Sequence, residues 1–292
     1  MWNWIKEVAA VKVTLWNRIR VFVRNNGRMV LGGFLILAII LMAICAPLLT
    51  NQDPNYTDAY NDYASPSAEH LLGTDSLGRD VWARIVYGAR ISLGVAVGVQ
   101  LATILLGVCL GLICGFYPKA DMVIMRILEA ISSIPTLLLI FVLSFALGEN
   151  FWSLMAAMVI EGITGIARHV RLQVMSLRQK EFVEREVAMG ASTPRIMFLH
   201  VLPQCSAYLL VSFGSGLAGK VLSMATMSFL GVGMPASIPN WGSDIAREQG
   251  NILSHPFTVF VPMIAIAITS FGFAMLGDGL RDFMDPKSRK RG

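Results

Sequence analysis

Charge is scarce in this chain. Only 15% of its 292 residues are Asp, Glu, Lys or Arg, 55% are hydrophobic, and the mean hydropathy is +0.61. A soluble domain carries roughly a quarter of its residues charged, so the balance excludes an ordinary soluble protein and points to a bilayer. Cysteine is scarce as well. Cys45, Cys109, Cys114 and Cys205 fall in or beside apolar runs with no CxxC spacing, the pattern of small apolar fillers and not of a disulfide framework or zinc ribbon. His70, His169, His200 and His255 are scattered, and no HExxH or GxxxxGK[ST] string occurs. Neither a metal site nor catalytic residues nor an ATP-binding loop is expected in this chain.

What is abundant is long apolar sequence. Runs able to cross about 30 Å of hydrocarbon at 1.5 Å per residue occur at Met29 to Leu49, Ile91 to Tyr117, Ile127 to Leu147, Phe151 to Ala167, Ala207 to Met234 and Pro256 to Leu276. The expected fold is therefore an all-α polytopic membrane protein with six transmembrane helices. Lys and Arg crowd the N-terminal tail, the second and fourth loops and the C-terminal tail, whereas the opposite loops hold only Arg79, Arg84, Arg90 and Arg247. The positive-inside rule then places both termini in the cytoplasm. On this reading the net charge of +5 reports topology and no nucleic-acid partner is expected. The first apolar run follows a basic tail and is long enough to span, the pattern of a retained anchor and not a cleaved signal. Trp2, Trp4, Leu15, Trp16, Ile19 and Phe22 are compatible either with an interfacial helix or with a frayed tail.

These features divide the chain into a cytoplasmic tail (1–28), a first membrane helix (29–50), an extracytoplasmic segment (51–88), a core of five helices (89–280) and a cytoplasmic C-terminal tail (281–292). The extracytoplasmic segment is acidic and turn-rich; its Gly73 to Asp80 cluster provides turns and an N-cap for a short helix from about Asp80. Gly148 to Asn150 is short enough to require antiparallel neighbours. Glycines at 94, 98, 107, 111 and 115, and at 214, 216 and 219, mark close helix packing, a hinge or a dimer face. Pro135 and Pro262 interrupt spans where a kink is expected.

One cytoplasmic loop is too elaborate for a connector. Residues 176–203 predict a helix from Ser176 with Phe182, Val183, Val187 and Met189 among charges, ending at Gly190 in a left-handed cap. A second helix follows, capped by Ser192 or Thr193 with Pro194 in its first turn, and shows Ile196, Met197, Phe198, Leu199 and Val201 up to Pro203. Such an elbow reads as a docking surface for a cytosolic partner.

Three ionisable residues, Glu129, Glu161 and Lys220, fall inside predicted spans, where each needs a partner, water or a pore-facing position. Glu129 stands one turn from Arg126, the spacing of an i, i+3 pair. Glu161 and Lys220 are candidates for a substrate pathway, for an interhelix pair or for a watery helix end.

The elbow resembles the EAA motif of binding-protein-dependent ABC importer permeases, with Glu184, Gly190, Leu202 and Pro203 at matching spacing. HLLGTDSLGRDVWARIVYGARISL (His70 to Leu93), SFLGVG (Ser228 to Gly233) with Trp241 and Gly242, and GDGLRDFMDP (Gly277 to Pro286) resemble the dipeptide, oligopeptide and nickel class, so the similarity runs from the first span to Pro286. Arg185 and Glu186 stand where the motif usually has two alanines.

The resemblance implies the type I importer permease fold and one half of a translocation pore in a bacterial or archaeal cytoplasmic membrane. The other half would be a sister permease, with two cytosolic ATPases that handle ATP and Mg²⁺ and an external solute-binding protein. It assigns ATPase coupling to the elbow, to Glu184, Arg185, Glu186, Gly190, Ala191, Ser192, Pro194 and Pro203, with ATPase closure transmitted as a helix tilt. It also implies an apolar or small residue at the positions of Glu161 and Lys220, and a packed interface histidine at His200. Peptides are the first expectation for the cargo, with nickel, a metal chelate or glutathione as alternatives. A secondary transporter or channel is the different-class alternative, but no inverted repeat is visible between the halves.

Overall fold

The computed structural model describes residues 20, 22–24, 26–235 and 237–284. The expectations for Trp2, Trp4, Leu15, Trp16 and Ile19 and for the tail beyond Met284 lie outside them. Among the described residues the only β-pairing is one bridge between Thr74 and Asp80. Among the described residues the helices of eight residues or more are α1 (Gly27–Ile44), α2 (Val81–Phe116), α3 (Pro118–Ser132), α4 (Thr136–Ala146), α5 (Phe151–Arg178), α6 (Glu181–Ala188), α7 (Thr193–Phe229), α8 (Trp241–Glu248) and α9 (Pro256–Met284). Five of them, α1, α2, α5, α7 and α9, are each long and apolar enough to cross a membrane, and the bent pair α3–α4 makes a sixth if counted as one span.

That bent pair corrects the third predicted span. Ile127 to Leu147 is not one helix: α3 and α4 meet at 101°. Pro135 has no N–H to give and pushes Ile134 out of the helical region. The Ser132 and Ser133 hydroxyls donate back to the carbonyls of Leu128 and Ala130 at 2.9 and 2.7 Å, so the end of α3 is satisfied locally. α3 is amphipathic, with Met125 and Leu128 buried and Lys119, Arg126 and Glu129 exposed. Pro262 breaks nothing, because α9 continues through it.

α2 corrects a second expectation. A short helix from Asp80 followed by a separate span is one 36-residue helix, capped by the Asp80 carboxylate, which accepts from the Ala83 N–H at 2.6 Å. Gly88 does not interrupt it because the Trp241 indole lies on that glycine, 3.0 Å from where a Cβ would stand, and donates to the Ile85 carbonyl at 3.0 Å.

Glycine sets the helix packing. A Cβ on Gly107, Gly111 or Gly115 of α2 would come within 2.6, 2.7 or 2.4 Å of the Ile166, Val170 or Val174 side chain of α5. Both partners advance in the same direction in steps of four, so α2 and α5 run parallel with backbones in close approach. Gly277 of α9 meets Ser215 of α7 in the same manner, and Gly32 of α1 meets Leu276 of α9. Close packing accounts for these glycines; Gly94 and Gly219 have nothing within 4 Å of a Cβ.

At one end of the bundle, residues 51–80 fold back onto α8. Arg84 donates to Asp244 at 2.7 Å and to the Pro54 carbonyl at 2.9 Å, and Arg79 donates from Nε to Asp75 at 2.8 Å. The Tyr63 hydroxyl donates to Glu248 at 3.0 Å while its ring stacks on His255 with centroids 3.6 Å apart. Burial pushes the Tyr63 hydroxyl above its usual pKa and the Glu248 bond adds to that, so the phenol stays a donor. Burial likewise raises the Asp244 carboxyl, against the pull of Arg84, and lowers Arg247.

Candidate functional site

Two places gather the residues singled out in the sequence. The first is a cavity of about 440 Å³ in the flank of the bundle, walled by α2, α5 and α7 and touched by the first residue of α4, Thr136. Glu161 and Lys220 meet here. The ammonium of Lys220 donates to Glu161 Oε2 at 2.9 Å and to the Met158 carbonyl at 2.9 Å. Of the alternatives left open for these residues, an interhelix pair on a cavity wall is what the structure contains. Gly162 makes room for it, since a Cβ there would stand 2.7 Å from Lys220 Nζ. Glu129 is apart from this group and pairs with Arg126 at 3.2 Å on the exposed face of α3.

The rest of the wall is built from polar residues that hydropathy alone does not mark. Gln100 donates to the Ser212 carbonyl at 2.9 Å, and His169 lies beside Tyr208 with ring centroids 5.3 Å apart. Thr103 is buried to 1% exposure, yet its hydroxyl has no partner. Its sequence signal was periodic: Gln100 and Thr103 are one turn apart in α2, and Tyr208, Ser212, Ser215 and Ser223 recur along one face of α7. Gly214 to Lys220, GSGLAGK, also matches the first seven positions of a phosphate loop, with Val221 in place of Ser or Thr. Here the string is continuous helix packed in the bundle, so its amides are spent on the helix and form no anion cradle.

The second place is the elbow, at the end of the bundle opposite residues 51–80. Its first helix does not begin at Ser176. α5 runs to Arg178, a break follows at Gln179 and Lys180, and α6 starts at Glu181. Gly190 has φ +80, and the N–H groups of Gly190 and Ala191 return to the carbonyls of Val187 and Glu186, both at 3.0 Å. This is the paired Schellman closure that requires a left-handed residue after the helix. Ser192 occupies the N-cap position of α7 without a side-chain cap bond, and Pro194 sits in the first turn.

The expected second elbow helix ending at Pro203 is instead the start of α7. It passes through a π turn (Ile196–Val201) and a 3₁₀ turn (Leu202–Cys205) before continuing to Phe229. The wider turn absorbs the missing N–H of Pro203, so the helix continues past the proline.

Its apolar residues divide. Ile196, Met197 and Val201 pack with Val183 of α6 against Val170 and Val174 of α5, while Phe198 and Leu199 join Val187 and Met189 on the exposed surface. Glu184, Arg185 and Pro203 are exposed, Arg185 pairs with Glu181 at 3.2 Å, and Glu186 lies 3.5 Å from His200. Asp121 and Arg171 form a bidentate pair that ties the start of α3 to α5 near this end, with Nη2 to Oδ2 at 2.6 Å. Among the described residues no group of three His, Cys, Asp or Glu is arranged to hold a metal ion.

Residues 107–290 match the family described as binding-protein-dependent transport system inner membrane component, and residues 14–66 match the N-terminal transmembrane domain of oligopeptide transport permease C. The chain is 35% identical over 286 residues to an oligopeptide transport system permease protein of Bacillus subtilis, covering 98% of this chain and 94% of that one. A dipeptide transport system permease protein of Alkalihalophilus pseudofirmus is 38% identical over 278 residues, 95% and 91% of the two chains. A glutathione transport system permease protein of Pectobacterium atrosepticum is 34% identical over 273 residues, 93% and 90% of the two. With a family match over more than half its length and relatives similar from end to end, this chain belongs to the binding-protein-dependent transport system inner membrane components.

Proposed function

We propose that this protein is a non-catalytic permease subunit of an ATP-driven importer of dipeptides and oligopeptides. It crosses the inner membrane six times, with both termini in the cytoplasm and residues 51–88 outside. The cavity between α2, α5 and α7 is its half of the translocation path, the other half coming from a sister permease. Two cytosolic ATPases supply ATP and Mg²⁺ chemistry, and an external binding protein delivers the peptide.

The observation that carries this reading is the elbow. A connector between two membrane helices has no reason to leave four large apolar side chains, Val187, Met189, Phe198 and Leu199, exposed around its turn; such residues suit a protein contact. Glu184, Arg185, Gly190, Ser192 and Pro194 surround it, with Glu186 and Ala191 closing the turn beneath. Placed in a groove of an ATPase, the elbow passes ATPase closure to α5 and α7, both of which line the cavity. The sister permease is a different chain on this reading, and the pore forms where the two cavities face each other. The glutathione-permease relative favours a second cargo reading, in which the same machinery carries that modified tripeptide.

The test is ATP-dependent uptake of a labelled dipeptide, a labelled pentapeptide and glutathione by proteoliposomes holding the complex purified through this chain. Uptake that stops when the ATPase subunits carry hydrolysis-dead substitutions supports the importer. Uptake that persists would establish a secondary transporter.

A further inference from the structure

We propose that Lys220 and Glu161 are the two poles of a site that holds a short zwitterionic peptide by its ends, the Lys220 ammonium taking the carboxylate and Glu161 the α-ammonium group. The assignment rests on the peptide-importer reading given above and adds to it a place, an orientation and a length limit.

The pair is unfinished on its cavity side. An ammonium has three N–H donors; Lys220 spends one on the Met158 carbonyl and one on Glu161. Glu161 accepts from Lys220 on Oε2, but Oε1 has only the Thr136 hydroxyl at 3.5 Å. The Lys220 and Glu161 side chains retain 10% and 24% exposure, and the space they face is the cavity. Next to them the Thr103 hydroxyl is buried without a partner. A Cβ on Gly162 would lie 2.7 Å from Lys220 Nζ and 3.1 Å from that hydroxyl, so the orphaned donor stands at the ammonium pole.

The volume beside the pair is also unexplained by packing. A structural ion pair needs the room made by Gly162, but Gly165 and Gly219 line the same cavity with nothing within 4 Å of a Cβ. These glycines permit no close helix contact. What they preserve is space, and about 440 Å³ falls within the range of small-molecule sites, roughly 300–1,000 Å³.

Charge then selects the ligand. A neutral molecule gives neither pole a reason to open. A singly charged one satisfies one pole and strands the other in a membrane bundle, where an unpaired charge is costly. A molecule carrying both charges on a covalent spacer inserts between the poles and leaves the net charge unchanged. Free short peptides have this form, with successive Cα atoms about 3.8 Å apart. A long peptide cannot present both ends to poles carried by adjacent helices, so occupancy of both poles is limited to the shortest cargo.

The experiment is equilibrium binding of labelled Ala-Phe to the purified whole complex in detergent, without the external binding protein, in competition with N-acetyl-Ala-Phe and Ala-Phe-amide. Wild type is expected to bind each blocked peptide at least ten-fold more weakly than the free one. Lys220→Met should bind Ala-Phe and Ala-Phe-amide alike while still rejecting the acetylated peptide, and Glu161→Gln should show the converse. A merely structural pair would not sort the two variants by which end is blocked. Equal binding of the three peptides by wild type, absence of binding, or variants that weaken all three without changing their ratios would overturn the proposal. The wild-type comparison decides even if a variant fails to assemble. Lys220→Arg and Glu161→Asp, which keep the charges, should keep the discrimination. ATP-driven uptake by the same complex, reconstituted into proteoliposomes with its external binding protein, separates the two levels: uptake without end discrimination sinks only this site, whereas no uptake of any peptide sinks the importer reading beneath it.

Discussion

Arg84 and Asp244 lie 160 positions apart in the chain, yet their side chains meet at 2.7 Å in the buried seam between the start of α2 and α8. The Arg84 side chain is 3% exposed, so its charge depends on that carboxylate. Asp244→Ala should cost about 3–5 kcal/mol, the scale for stranding a buried charge, and should lower the melting temperature of the purified complex. Asp244→Asn, which can still accept a hydrogen bond, should cost less. The double variant Arg84→Met/Asp244→Leu should recover much of the loss. A melting temperature unchanged by Asp244→Ala would show that the seam contributes nothing to stability.

The glycines divide into packing and cavity positions, and this is measurable. Gly111→Ala places a methyl group 2.7 Å from Val170 Cβ and should destabilise by about 1–3 kcal/mol, as overpacking does. Gly165→Ala meets nothing within 4 Å and should leave stability level or slightly raised through helix propensity. Gly165→Leu should also assemble but reduce uptake by filling the cavity. Equal thermal shifts for Gly111→Ala and Gly165→Ala would refute the division.

Buried and exposed valines of α6 should behave oppositely. Val187 is 61% exposed and Val183 is 3% exposed. Val187→Asp should change bundle stability by less than about 0.5 kcal/mol, as surface changes do, while reducing both co-purification of the ATPases and peptide uptake. Val183→Asp buries a charge among Val170, Val174 and Ile196 and should loosen the elbow itself, seen as faster proteolysis after Arg178. ATPase retention by Val187→Asp at the wild-type level would remove the patch from the interface.

Gly190 tests conformation alone, because its φ is +80 and nothing lies within 4 Å of a Cβ there. Gly190→Val should cost about 1–2 kcal/mol of local stability from left-handed strain. Gly190→Asn should cost less, since asparagine enters that region more readily. Hydrogen exchange at the amides of Gly190 and Ala191, the two closing donors, reads the effect directly.

Much of this architecture is legible in the residues. The spans α1, α2, α5, α7 and α9 follow from run length, and Gly190 from its place after an amphipathic turn. The failures come from effects that are not local. Pro135 and Pro203 carry the same missing N–H, yet one breaks a span by 101° and the other is absorbed by a π turn, because serines close the end of α3 while α7 is held by Val183, Val170 and Val174 on its flank. Gly88 looks like a helix end until Trp241, 153 positions later, is seen to lie on it. The union of Glu161 with Lys220 depends on the parallel register of α2 and α5 and the placement of α7 beside them, which no window of sequence contains. Gln100 and Thr103 passed unnoticed for a simpler reason: two polar residues barely alter the hydropathy of a 36-residue helix, although their spacing points to one face.

The glycine seam between α2 and α5 has a mechanical meaning. Helices of 36 and 28 residues are roughly 54 and 42 Å long at 1.5 Å per residue. Locked side by side at three successive steps, with α3 pinned to α5 through Asp121 and Arg171 near the elbow, they form a double-walled beam that resists flexing. A beam of that length turns a small angle at its foot into a large displacement at its head: swinging by 10° about the elbow would carry the far end of α2 through roughly 9 Å. The head is where Asp80, Arg84 and the fold of residues 51–80 are fastened, so that fold would move with the beam. Its position becomes a gauge of what happens at the elbow.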